Sequence, residues 1–119
     1  MANLNFVAKP YVVYAWLKNV PETEENMLRK FIIERDIPKV GSLEREQLRG
    51  AAAKSNAALK QLGSDIQWVE SFVAGDKTFC VYLAKDESII HKHAEISGFP
   101  ATKITEISKM IDPTTEAPR

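Results

Sequence analysis

The chain has 119 residues, of which 45% are apolar and 27% charged, as expected of one globular domain with a real core. Its 16 basic and 16 acidic residues cancel, which argues against nucleic-acid binding because no positive excess exists to neutralise phosphates. The single cysteine, Cys80, excludes an internal disulfide, and the longest apolar run, residues 11–17, is too short to cross a bilayer. We therefore expect a cytoplasmic protein that binds neither nucleic acid nor membranes.

Residues 1–26 differ in pattern from the rest of the chain. Residues 11–17 are rich in β-branched and aromatic side chains, which favours a strand, and residues 21–26 form a polar, acidic linker. We predict that this N-terminal extension adds a strand to a sheet edge, on its own subunit or a partner's. The alternative is an extension with little role. The domain itself is predicted to span residues 27–119.

A strand and then a helix are predicted at the start of this domain. Residues 28–35 have the alternation of a strand, with Phe31 on one face and Glu34 on the other. Ser42 is the expected N-cap of a helix that Gly63 ends. One apolar stripe runs along this helix and consists of Leu48, Ala52, Ser55, Leu59 and Leu62.

Residues 65–84 predict a β-hairpin closed by a tight turn at Gly75 and Asp76. Glycine at the first turn position suits a type II′ turn, because that position requires φ > 0. If the first strand alternates without interruption, one of its faces carries Ile66, Trp68, Glu70 and Phe72.

A second helix and a last strand are predicted after the hairpin. Asp86 is the expected N-cap of the helix, and Gly98 is its expected end. The inner face of this helix is predicted to consist of Ile89, Ile90, His93 and Ile96. Residues 104–111 alternate and predict the last strand, with a helix as the alternative for the same residues.

The predicted order βαββαβ is that of a ferredoxin-like α+β fold. Right-handed crossovers place both helices on one face of a four-stranded antiparallel sheet. The other face of the sheet carries too many apolar side chains to stay in contact with water. We therefore expect a homodimer that packs sheet face to sheet face.

His93 is the leading candidate for a functional side chain. It lies on the apolar stripe of the second helix, so we expect it to point at the sheet. Two interpretations are open. It is either a buried neutral imidazole that is hydrogen-bonded within the core, or a metal ligand or general base in a partly dry pocket.

A second candidate is a cluster on the outer face of the same helix. His91 lies two residues before His93, which turns it to nearly the opposite side of the helix. Glu87 and Glu95 lie one turn before and one turn after His91. Carboxylates and an imidazole suit a borderline divalent cation such as nickel or zinc, although a solvated helix face explains the same pattern.

Three further side chains are candidates for a pocket at the sheet. Glu34 is a carboxylate in an otherwise apolar strand, and it needs a partner because an unpaired charge is costly to bury. One arrangement that we predict for nickel is a centre in which Glu34 and His93 bind the same ion; the other is the outer cluster around His91. Trp68 and Tyr82 would line the pocket beside His93. The sequence contains no Ser/His/Asp spacing, phosphate-binding glycine loop, HExxH or CxxC, so it assigns neither a catalytic residue nor a reaction.

The order and spacing of several short blocks resemble a small bacterial family of nickel-binding-like proteins. The resemblance covers about residues 28–116 and omits the N-terminal extension. Its blocks are FIIERDIP at 31–38, VG at 40–41, IQWVES at 66–71, DKTFCVY at 76–82, HA at 93–94, GFP at 98–100 and IDP at 111–113.

The resemblance implies a ferredoxin-like subunit, a homodimer and an ability to bind nickel, without an established reaction. Among the matching positions, it implies Glu34, Cys80, Tyr82 and His93 as side chains that touch a metal or ligand. The alternative function is a dimeric small-molecule-binding protein, or a cofactor-free oxygenase or isomerase with His93 as base. A plain dimeric interaction module, without metal or cavity, is the third possibility.

Overall fold

The computed structural model describes residues 27–119, so the strand predicted within residues 1–26 lies outside the described residues. Three short 3-10 turns, Val40–Ser42, Gly63–Asp65 and Pro113–Glu116, accompany the main elements. Those elements follow in the predicted order βαββαβ. They are β1 (Arg29–Asp36), α1 (Arg45–Leu62), β2 (Ile66–Val73), β3 (Lys77–Ala84), α2 (Glu87–Ser97) and β4 (Lys103–Glu106).

The four strands form one antiparallel sheet in the order β2-β3-β1-β4. This order and the two helices confirm the predicted ferredoxin-like fold. The core lies between the helices and one face of the sheet, where Phe31, Ile33, Tyr82, Ala84 and Ile90 are buried. Within residues 27–119, no helix is long and apolar enough to cross a membrane.

The helix ends follow the prediction except at the start of α1. Asp86 accepts a hydrogen bond from the Ile89 N–H at 3.2 Å and caps α2. Gly63 and Gly98 end the two helices with φ of 78° and 83°, a conformation that favours glycine. The N-cap of α1 is Glu44 rather than Ser42, because residues 40–42 are already wound into a 3-10 turn.

The inner face of α2 and the last strand differ from the prediction in detail. Ser97, not Ile96, joins His93 on the buried side of α2, and Ile96 is 43% exposed. β4 spans four residues, not eight, because its pairing with β1 ends at Glu106. Ile111, which was predicted to lie in this strand, is 83% exposed.

A β-bulge interrupts β2, which the sequence analysis predicted as regular. The pairing with β3 shifts register between Trp68 and Glu70, so Val69 is an extra residue on this strand. Because side chains alternate along a strand, one extra residue moves each later side chain of β2 to the face opposite the predicted one. Trp68 and Ser71 therefore both lie on the helix side of the sheet, and Phe72 turns to the other side. The predicted shared face of Trp68, Glu70 and Phe72 is wrong.

The hairpin turn also differs from the predicted type II′ turn, because Gly75 is not among the glycines with positive φ. Two backbone–backbone hydrogen bonds from the segment between β1 and α1, and a third from the Lys39 N–H to the Asp76 carboxylate at 2.7 Å, hold this turn. The Gly41 N–H donates to the Gly75 carbonyl at 2.9 Å, and the Ile37 N–H donates to the Asp76 carbonyl at 3.0 Å. The conformation of the turn is therefore fixed by contacts with the β1–α1 segment, and these contacts are not visible in the sequence of the hairpin alone.

Candidate functional site

His93 lies on the inner side of α2, as its position on the apolar stripe predicts, and is 1% exposed. Its Nε2 lies 3.1 Å from the Ser55 hydroxyl on α1, and that hydroxyl lies 3.3 Å from the phenol oxygen of Tyr82 on β3. The rings of His93 and Tyr82 contact each other, with centroids 5.2 Å apart. A buried polar chain therefore joins both helices to the sheet.

The electrostatics of this chain keep both rings neutral. Burial, together with the positive charge of Arg35, lowers the pKa of His93 to about 4. Burial likewise raises the pKa of Tyr82 above its ordinary value. Nδ1 of His93 is buried and has no hydrogen-bond partner within residues 27–119. A neutral imidazole beside a hydroxyl is able to act as a base, but here the ring is enclosed by the core.

Arg35 is the site residue that the sequence analysis missed. It lies on β1, on the same face as Phe31 and Ile33, and is 2% exposed. Its Nη1 donates to the carbonyls of Phe99 and Pro100 at 3.3 and 3.1 Å. Nη2 is buried without a hydrogen-bond partner among the described residues. The alternation of β1 contains the signal, because it places every second residue from Phe31 onwards in the core.

A cavity of about 280 Å³ opens between α1 and the helix side of the sheet. Arg35, Ser55 and Tyr82 contribute to its wall, but His93 does not. Trp68 and Ser71 also line it, because the bulge in β2 turns both toward the helices; the Trp68 indole N–H donates to the Ser71 hydroxyl at 2.9 Å. A base role for His93 would therefore have to act through Ser55 rather than on a ligand directly.

The structure separates the two groups that were predicted to share a metal centre. Glu34 alternates with Ile33 and Arg35, so it lies on the face of the sheet away from His93. There its carboxylate is 3.6 Å from the Lys77 ammonium. The expectation that Glu34 and His93 meet at one ion is wrong, because neighbouring residues of a strand point to opposite faces.

The other predicted metal ligands also occupy separate places. Cys80 is buried on the helix side of the sheet and lines the cavity. Glu87, His91 and Glu95 are all exposed on the outer side of α2. Over residues 27–119, no three or more His, Cys, Asp or Glu side chains are grouped closely enough to hold an ion. The described part of one chain therefore does not form a complete nickel site.

The fold and the buried polar chain define a small ferredoxin-like α+β protein. Residues 31–107 match the family described as nickel responsive protein SCO4226-like. The chain belongs to this family of nickel-related proteins, which confirms the resemblance found in the sequence.

One solved structure supports the same fold. The chain is similar to SCO4226 from Streptomyces coelicolor A3(2), with a TM-score of 0.58 and 15% sequence identity. The alignment covers 69% of this chain and 99% of that one. At this identity the similarity shows the architecture alone. No functionally curated protein matches the chain significantly.

Proposed function

We propose that the protein is a homodimer that binds a divalent metal ion, nickel, at His91 on the outer side of α2. The observation that carries this proposal is the exposure of the possible nitrogen and sulfur ligands. The whole chain has two histidines and one cysteine. His93 and Cys80 are buried, whereas His91 is exposed. An ion arriving from solvent therefore meets one imidazole, and imidazole is a ligand that suits nickel.

Two carboxylates support His91 as the centre of the site. Glu87 and Glu95 lie four residues before and after it on a regular helix, so the three side chains share one face. They are not drawn together into a closed site. Nickel bound here would take its remaining ligands from water.

The proposal that the chain forms a homodimer is supported by the uncovered face of the sheet. Phe72 and Val69 of β2 are 56% and 50% exposed. The neighbouring strand β3 adds three apolar side chains to this face, Phe79, Val81 and Leu83. They are only half-buried, because no helix or strand within residues 27–119 packs over them. An apolar surface of this kind favours association with a second copy.

The metal proposal predicts different outcomes for the two histidines. In equilibrium dialysis of chelator-treated protein against nickel, the wild-type chain should retain the metal and His91→Ala should lose most of it. His93→Gln is the matched control, because it removes the other imidazole of the chain and should leave nickel binding unchanged. Nickel retention by His91→Ala at the wild-type level, or none by the wild type, would contradict the proposal.

A further inference from the structure

Arg35 is a buried cation without a counter-ion among the described residues. Its guanidinium makes no ion pair within residues 27–119. Nη1 reaches two backbone carbonyls, but Nη2 has no acceptor. Burying a charge is costly unless it is paired and hydrogen-bonded, and backbone carbonyls do not neutralise it. Within residues 27–119, the Arg35 charge therefore has carbonyl and aromatic contacts but no anion.

The cavity beside Arg35 has the size and the lining of a small-molecule site. Its volume of about 280 Å³ is near the lower end of the range for ligand pockets, roughly 300–1,000 Å³. The wall is mainly apolar, with Leu48 and Ala52 from α1 opposite Trp68 from β2. The hydroxyls of Ser55 and Tyr82 add polar groups near the cation. This combination fits a ligand that has an apolar body and one anionic end.

We propose that this cavity binds a small apolar monocarboxylate, with its carboxylate on the Arg35 guanidinium and its apolar body against Trp68 and Leu48. A guanidinium forms charge-assisted hydrogen bonds with a carboxylate, and Nη2 of Arg35 has no other acceptor within residues 27–119. One cation in the wall balances one negative charge. A phosphate monoester carries close to two charges, and among the described residues of the wall only Arg35 is basic.

This proposal is independent of nickel binding, because the cavity lies on the inner side of α1 and His91 on the outer side of α2. Its test therefore uses chelator-treated full-length protein and calorimetric titration. Phenylacetate and octanoate are the probes, and phenylacetamide is the uncharged control. Both acids have an apolar body, one aromatic and one aliphatic. At least one acid should bind, and the amide should bind at least about tenfold more weakly than phenylacetate.

Two variants locate the binding. Arg35→Met should weaken acid binding by about 10–100-fold, the usual effect of losing a charge-assisted hydrogen bond. Arg29→Met is the matched control, since Arg29 is an exposed basic residue of the same strand and should leave the affinity unchanged. Ala52→Leu should block the cavity and abolish binding of the acids. It also provides a second test if Arg35→Met does not fold, which thermal unfolding by circular dichroism would reveal.

Three results would overturn the proposal. The first is no binding of either acid at millimolar concentration. The second is equal binding of phenylacetate and its amide. The third is equal acid affinity in the wild type and in a folded Arg35→Met or Ala52→Leu variant. Failure of nickel to bind in a separate dialysis would leave all three results unaffected, so the two proposals fail separately.

Discussion

The buried polar side chains discussed above are three neutral residues and one cation. His93, Ser55 and Tyr82 form a buried chain without net charge, and Arg35 supplies a positive charge nearby that has no counter-ion within residues 27–119. The helical stripe was enough to predict that His93 points inward. Arg35 was missed because an arginine beside Asp36 at the end of a strand resembles a solvated terminus. The alternation of β1 places Arg35 on the core face, but its complete burial depends on how the chain after α2 folds over it, which strand periodicity does not show.

The buried imidazole predicts a pH dependence of stability. The pKa of His93 is about 4 in the folded protein, and an unfolded histidine has a pKa near 6.5. Between these values the unfolded chain binds the extra proton, so the free energy of unfolding falls as pH decreases through this window. The expected loss is about 3 kcal/mol between pH 7 and pH 4, from the pKa difference.

Urea unfolding at several pH values measures this effect, and His93→Gln is the control. The variant has no imidazole at this position, so its stability should depend less steeply on pH across the same window. If the wild type and His93→Gln show the same slope, His93 does not bind its proton as the structure requires.

At the scale of the elements, the sequence predicted which helices and strands form, and in what order, better than it predicted how the strands pair. Helix caps and ends are local, so Asp86, Gly63 and Gly98 were identified correctly. The bulge at Val69 and the turn at Gly75 were not, because both depend on contacts between distant segments. The bulge matters most for the site, since it places Ser71 in the cavity wall and Phe72 on the outer face of the sheet.

Two glycines are predicted to respond oppositely to replacement by alanine. Gly41 lies where the β1–α1 segment contacts the hairpin turn, and Gly50 lies on the exposed side of α1. A Cβ added to Gly41 would collide with the Ala74 carbonyl, whereas at Gly50 in α1 it would meet open space. Gly41→Ala should destabilise the protein by about 1–3 kcal/mol, the usual range for overpacking. Gly50→Ala should stabilise it by about 0.5–1 kcal/mol, because alanine favours the helix.

Thermal and urea unfolding of both variants measure the difference. If Gly41→Ala is as stable as the wild type, the close approach of this segment to the hairpin is not present in solution. If Gly50→Ala is less stable, the position is not the exposed helical one that the structure shows.

At the scale of the whole molecule, the two helices cover one face of the sheet, and no helix or strand within residues 27–119 covers the other. The uncovered face is apolar around Phe72 and Phe79, which are paired across β2 and β3. The sequence predicts apolar side chains on both faces of the sheet, and the helices can cover only one of them. We therefore propose that the other face is the interface of a homodimer.

Light scattering after size exclusion tests the proposed dimer. The wild type should have the mass of two chains, and Phe72→Glu should have the mass of one, because a charge in the interface is costly to desolvate. Ile111→Glu is the matched control, since Ile111 is an exposed apolar residue outside the sheet and should leave the mass unchanged. A monomeric wild type, or a dimeric Phe72→Glu, would contradict the proposed interface.

The most direct test of the proposed function is the location of the bound ion. Anomalous diffraction at the nickel absorption edge, from crystals of nickel-loaded protein, reports its position without assumptions about ligands. The exposure of His91 and the burial of His93 and Cys80 predict an anomalous peak at the His91 imidazole, with Glu87 or Glu95 beside it. A peak in the core at His93 or Cys80, or no peak at His91, would contradict the account.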